Sequence, residues 1–147
     1  MPVSKKRRSP KTPTRAQSKR FLLPMPRQEA DALCLQSRIA LESVRGGRAG
    51  SHETTILAHT VLLTSFLTEA GHGVLDLSFV RQVEEAVLAI LDAGKATGEW
   101  NFDETFVQSL TTIINEYDRQ MREVRFGQVL AATQRLDRMI ASVRTAR

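Results

Sequence analysis

Residues 103–124 read DETFVQSLTTIINEYDRQMREV, and this stretch decides the fold class. With each residue turning by about 100°, Phe106, Val107, Leu110, Ile113, Ile114, Tyr117, Met121 and Val124 gather in one narrow arc. A strand, with its period of two, would scatter them over both faces. The spacing predicts an amphipathic helix over about 103–122. Asp103 is its expected N-cap, with Phe102 and Val107 placed as a hydrophobic staple.

Four further stretches carry a helical period, separated by glycines and polar caps. The first, about 27–45, repeats small or apolar residues at Ala30, Leu33, Cys34, Ala40, Leu41 and Val44 and stops at Gly46 and Gly47. In the second, about 52–70 with Ser51 as cap, Ile56, Leu57, Val61, Leu62, Leu63, Phe66 and Leu67 cover most of the circumference. A helix apolar nearly all round must be surrounded, so this one is expected at the centre. The next, about 77–93, is capped by Asp76 or Ser78 and places Phe79, Val83, Val87 and Ile90 on a stripe, closed by Gly94 and Gly98. The last, about 127–144, aligns Phe126, Val129, Leu136, Ile140 and Val143, with Gly127 and the charged MREVR marking a break from the helix before it. No run alternates as a strand would, and no internal repeat is evident. The expected fold is all-α: about five amphipathic helices packed as a bundle around the apolar helix 52–70.

The front of the chain follows different rules. Residues 1–27 hold nine Lys and Arg and no acid; residues 28–118 carry a net charge of −9, and residues 119–147 a net +5. Residues 1–20 contain three prolines and almost nothing apolar to offset the entropy of ordering, so they are expected to form a disordered basic arm. Residues 21–26, FLLPMP, place Phe21, Leu22, Leu23 and Met25 against Pro24 and Pro26, which hold the backbone extended. That segment is expected to pin the arm to a helical domain spanning 27–147.

Several chemistries find no support. Cys34 is the only cysteine, so no internal disulfide forms, and a reducing, cytoplasmic setting is the first expectation. FLLPMP is too short and too broken by proline for a secretory signal, and nothing approaches the apolar length of a membrane span. His52 and His59 share a helix face but are separated by about 10.5 Å of rise, too far to share a metal. His72 lies in a glycine loop, and His59, on the apolar stripe, reads as a core residue. Glu84 with Glu85 and Asp103 with Glu104 point about 100° apart and read as solvated or first-turn charge. Glu116 with Arg119, and Asp118 with Arg122, have the spacing of ordinary surface ion pairs. Trp100 reads as packing against the end of the bundle or as an anchor for a partner. No catalytic residue, metal or cofactor is expected.

The functional signal is therefore the arm. Lys5, Lys6, Arg7, Arg8, Lys11, Arg15, Lys19 and Arg20 can track a phosphate backbone by counterion release, without sequence preference. The near absence of aromatics among them favours duplex phosphates over stacked single-stranded bases. Arg119, Arg122, Arg125, Arg135 and Arg138 form a candidate second basic patch, with Arg144 and Arg147 beyond them. No junction between the expected helices has the compactness of a helix-turn-helix. Two function classes follow: a non-enzymatic accessory or regulatory protein with weak electrostatic affinity for nucleic acid, and a helical protein-interaction module, homodimeric or with another partner, whose arm aids solubility.

The Lys-Lys-Arg-Arg opening, Leu22-Leu23-Pro24, FLTEAG at 66–71 and RFGQVLAATQRLDRMI at 125–140 resemble a group of small uncharacterised proteobacterial all-helical proteins often labelled Fis-type transcriptional regulators. The resemblance implies a bacterial, cytoplasmic protein with a regulatory role and lends no catalytic residues.

Overall fold

The computed structural model describes residues 15–146, and the described residues contain no strand. Six α-helices follow one another: α1 Arg15–Leu22, α2 Arg27–Arg45, α3 Ser51–Leu67, α4 Leu77–Thr97, α5 Glu104–Glu123 and α6 Phe126–Thr145, with a wider π turn, Thr68–His72, continuing α3. The five expected helices are all present. None of the described ones is long and apolar enough to cross a membrane.

The caps explain the boundaries. Asp103 accepts from the Phe106 N–H at 2.7 Å and Asp76 from the Ser78 N–H at 3.1 Å, each satisfying a donor the helix leaves free. α3 begins one residue before the expected start: Gly50 is its N-cap and Ser51 its first residue, with the Glu53 carboxylate accepting from the Gly50 N–H at 2.8 Å. α4 runs through Gly94 and closes at Gly98, whose φ of 76° is a left-handed conformation that glycine adopts without strain.

α3 is the hub. It packs against α2, α4, α5 and α6, and its Leu57, Val61 and Leu67 are essentially inaccessible to solvent. Towards one end it meets Met25, Cys34, Tyr117, Met121, Val124, Val129 and Leu136; towards the other it meets Leu41, Val44, Val80, Val83, Val87, Leu110, Ile113 and Ile114. Each large aliphatic side chain so buried contributes about 1.5–3 kcal/mol. Five threonines lie on the same helix and its extension. Thr54, Thr60, Thr64 and Thr68 donate to the carbonyls of Gly50, Ile56, Thr60 and Thr64 at 2.7–2.9 Å, and the Thr60 and Ser37 hydroxyls meet at 2.8 Å across α2 and α3. Hydrogen bonding within the helix is what permits hydroxyls in this core.

Two expectations about the front of the chain are corrected. Arg15–Arg20, assigned to a disordered arm, belong to helix α1; residues 1–14 lie outside the described residues. In the 21–26 segment only Met25 is buried, while Leu22 and Leu23 remain 59% and 60% exposed. An eight-residue helix is not stable alone, and here α1 is held by α6.

Trp100 finds its place against α4. A Cβ built on Gly94 would collide with Cε3 of the indole, so the missing side chain is the seat of the ring. An unobstructed Gly→Ala change inside a helix gains about 1 kcal/mol. Gly94→Ala is expected to forfeit that gain and to shift the emission of the single tryptophan to the red; denaturant titration and fluorescence read both. A stabilised variant with unchanged emission would contradict this packing.

Candidate polyanion interface

The basic surface is assembled where the front of the chain meets the start of α6. The Phe126 N–H donates to the Leu23 carbonyl at 2.8 Å, and an isolated antiparallel bridge pairs Pro24 with Arg125. One turn earlier the Phe21 ring stacks on Phe126 with centroids 6.0 Å apart and planes 10° from parallel. The Arg20 guanidinium lies 5.2 Å from the Phe126 centroid. At Gly127 an added Cβ would sit 3.1 Å from the Phe21 carbonyl oxygen, so the glycine lets α1 approach closely. α1 is thus fixed through its C-terminal end.

Arg15, Lys19 and Arg20 are exposed on α1, which has no acidic residue. Arg20 has a single weak ion pair, 3.9 Å to the exposed Glu29. Just past the Pro24–Arg125 bridge, Arg27 is exposed and lines a hollow of about 500 Å³ with Met25, Ala30, Asp31 and Arg122. The Pro24–Arg125 bridge therefore brings Arg125 near Arg20 and Arg27 in space, with Lys19 and Arg15 further back along α1. Arg27 does not stand out in the sequence, because its proximity to Arg125 depends on a contact between segments far apart in the chain. Lys5, Lys6, Arg7, Arg8 and Lys11 lie outside the described residues.

The second basic patch divides into two kinds of arginine. Arg119 is a structural staple: Nε reaches Glu116 Oε1 at 2.5 Å, Nη1 reaches Glu123 Oε2 at 3.0 Å, and Nη2 donates to the His72 carbonyl at 2.8 Å. Glu116 is not the surface residue its spacing suggested. Its side chain is only 2% exposed, and its other oxygen accepts from the Val74 N–H at 2.7 Å, so the Glu116–Arg119 pair ties the loop after the π turn to α5. Charge placed this deep requires such hydrogen bonds.

Arg122 is likewise engaged, donating through Nε to Asp118 at 2.6 Å and through Nη1 to Asp31 at 2.7 Å. Arg38 adds a 3.1 Å bond to Asp118, so α2 and α5 are clasped by alternating charges. Arg135 pairs with Glu69 at 3.0 Å and lies 4.0 Å above the Phe66 ring. Exposed Arg125 and Arg138 have no ion pair among the described residues. Of the five arginines, two are available to an external anion without breaking an internal contact.

The remaining candidates are quiet chemically. Cys34 is buried, and burial first, then the neighbouring Asp118 carboxylate, push its thiol up to about 11, which leaves it protonated and unreactive at neutral pH. Burial lowers the pKa of half-buried His59, partly countered by Asp137 on α6, so it is neutral at pH 7. Among the described residues, no three His, Cys, Asp or Glu side chains converge to hold a metal ion. The α5–α6 junction is only Val124 and Arg125, tighter than expected of any junction here, yet the first turn of α6 lies under α1 and is not free to enter a groove.

Partial burial raises the pKa of Asp118, but the hydrogen bonds from Arg122 and Arg38 outweigh it and hold the carboxyl below the ordinary aspartate range. Its contribution to stability is complete above the unfolded aspartate value of about 3.9 and is lost as pH falls through the lower native value. Asp118→Asn is expected to cost about 1–3 kcal/mol at neutral pH and to flatten the stability curve below about pH 4. Urea titrations across the acid range test both; a variant with an unchanged acid slope would refute the clasp.

Compared with known proteins, the chain matches no family model, no curated protein and no solved structure.

Proposed function

We propose that this is a non-enzymatic accessory or regulatory protein that binds duplex nucleic acid weakly and electrostatically through its acid-free front. The observation that carries the reading is the anchoring of α1. Residues 1–27 contain nine cations and no acid, and the part of that run in α1 is packed against α6 instead of trailing from the body. Exposed Arg15 and Lys19 then stand on a helix anchored at its C-terminal end, and residues 5–11 add five more cations to the sequence before it. Phosphates are the anions that such a row of charges meets with the largest gain from counterion release.

The body of the domain complements this role. Of the fourteen acids in residues 28–118, eight have no ion pair among the described residues, but Glu29, Asp31, Glu42, Glu69, Glu116 and Asp118 each bind an arginine. Those acids are therefore already neutralised by arginines of the folded body. A lone cysteine, buried as a thiol, suits the reducing cytoplasm in which such a protein would work.

The test is duplex DNA affinity against salt for the full chain and for charge variants. Replacing Lys5, Lys6, Arg7 and Arg8 by Gln is expected to weaken binding and to make the slope of log affinity against log salt shallower by roughly 0.9 for each phosphate no longer neutralised. Arg15→Gln with Lys19→Gln acts in the same direction, and Arg138→Gln, about three turns along α6 from the Phe126 contact with α1, has little effect. Equal slopes for all variants would exclude the front from this role.

A further inference from the structure

α1 is held on the body by little. Its eight residues are too few to keep a helix in water, and α6 is the helix it packs on. The hold lies at one end of α1: the Phe21 ring on Phe126, the Arg20 guanidinium over the same ring, and the Leu23 carbonyl on the Phe126 N–H at 2.8 Å. Phe21 is 39% exposed even when stacked, and its neighbour Leu22 is buried less still.

Charge opposes this hold in two ways. Docking brings Arg20 to the ring of Phe126, next in the chain to exposed Arg125, with exposed Arg27 just past the Pro24–Arg125 bridge. Against them stands one weak partner: among the described residues, the only ion pair made by Arg15, Lys19, Arg20, Arg27 or Arg125 is the 3.9 Å contact of Arg20 with Glu29. Within α1 itself Lys19 and Arg20 suit the last turn, but Arg15 opens the first, where the amide dipole disfavours a cation and no acid offsets it.

An anion of many charges lying along these cations removes both costs. Resting on the polyanion reading above, we propose that α1 is a clip: its docking on α6 and the binding of duplex phosphates stabilise each other. Phosphates relieve a repulsion that exists only when α1 is docked, and docked α1 presents Arg15, Lys19 and Arg20 already ordered, which lowers the cost of binding. The free chain therefore samples a released α1, and duplex holds it down. By reciprocity, the factor by which duplex favours docking is the factor by which release weakens duplex binding. Salt separates the two halves, because screening favours docking in the free chain while it weakens binding itself.

The Phe126 N–H reports the clip. It belongs to the first residue of α6, has no partner within that helix, and is covered by the Leu23 carbonyl. Its hydrogen exchange in the full chain is measured by NMR in dilute buffer, with added sodium chloride, and with a saturating short DNA duplex. Duplex is expected to slow it by about fivefold or more, the lower edge of ordinary coupling between sites, and sodium chloride alone to slow it less. The Gly98 N–H, bonded to the Gly94 carbonyl where α4 frays, is expected to be unmoved by either. Phe21→Ala, which removes no charge and no side chain of the body, is expected to speed Phe126 exchange and to weaken duplex binding by a comparable factor at the same salt; Phe21→Tyr, which keeps a ring to stack, restores both. A parent that binds no duplex overturns the polyanion reading and the clip together. A parent that binds duplex without slowing Phe126 exchange, or whose Phe21→Ala variant binds duplex as tightly, overturns the clip alone.

Discussion

The structure depends on the need to surround α3. A helix with apolar residues around most of its circumference has no face it can leave in water, so α2, α4, α5 and α6 must all turn their stripes towards it. The two clusters of buried side chains are two ends of this one requirement, because Leu57 and Val61 anchor one and Leu62, Phe66 and Leu67 the other. The threonines of α3 are compatible with that burial only because each hydroxyl finds a carbonyl one turn back.

Polar groups are placed where the helical packing leaves gaps. The π turn after α3 swings the chain towards α4 through Gly71, whose φ of 93° admits few side chains without strain, and leaves the His72 carbonyl and Val74 N–H to be satisfied. α5 supplies the partners: Glu116 and Arg119 reach across to that loop, and Gln120, wholly buried, donates to Thr68 Oγ1 at 3.4 Å. On the opposite flank Arg38, Asp118, Arg122 and Asp31 join α2 to α5. Charges that look like a basic tail and an acidic middle along the chain are, in space, partly matched within the body, where Arg38, Arg119, Arg122 and Arg135 are held by acids.

That redistribution bears on the basic surface. The acid-free front owes its mount to a few local contacts: Phe21 on Phe126, Leu23 with the Phe126 N–H, and a glycine at 127. The charged residues of α2 are divided: Arg38, Arg45 and Asp31 bond residues of α5, whereas Glu29 faces Arg20 of α1.

The sequence by itself determined the helices from Arg27 onward, the cap at Asp103, the choice of Asp76 or Ser78 for α4 and the central position of α3, whereas α4, expected to end at about residue 93, runs on through Gly94 to Gly98. These follow from periodicity and from turn chemistry within a few residues, and such information is local. α1 was not legible, because RAQSKRFL has too little apolar surface to predict a helix and gains its stability from Phe126, more than a hundred residues away. Nor was the commitment of Arg119, Arg122 and Arg135 to Glu116, Asp31 and Glu69, or the burial of Glu116. Spacing along one helix shows which charges can meet on that helix, but which are spent on another element is decided only when the elements pack.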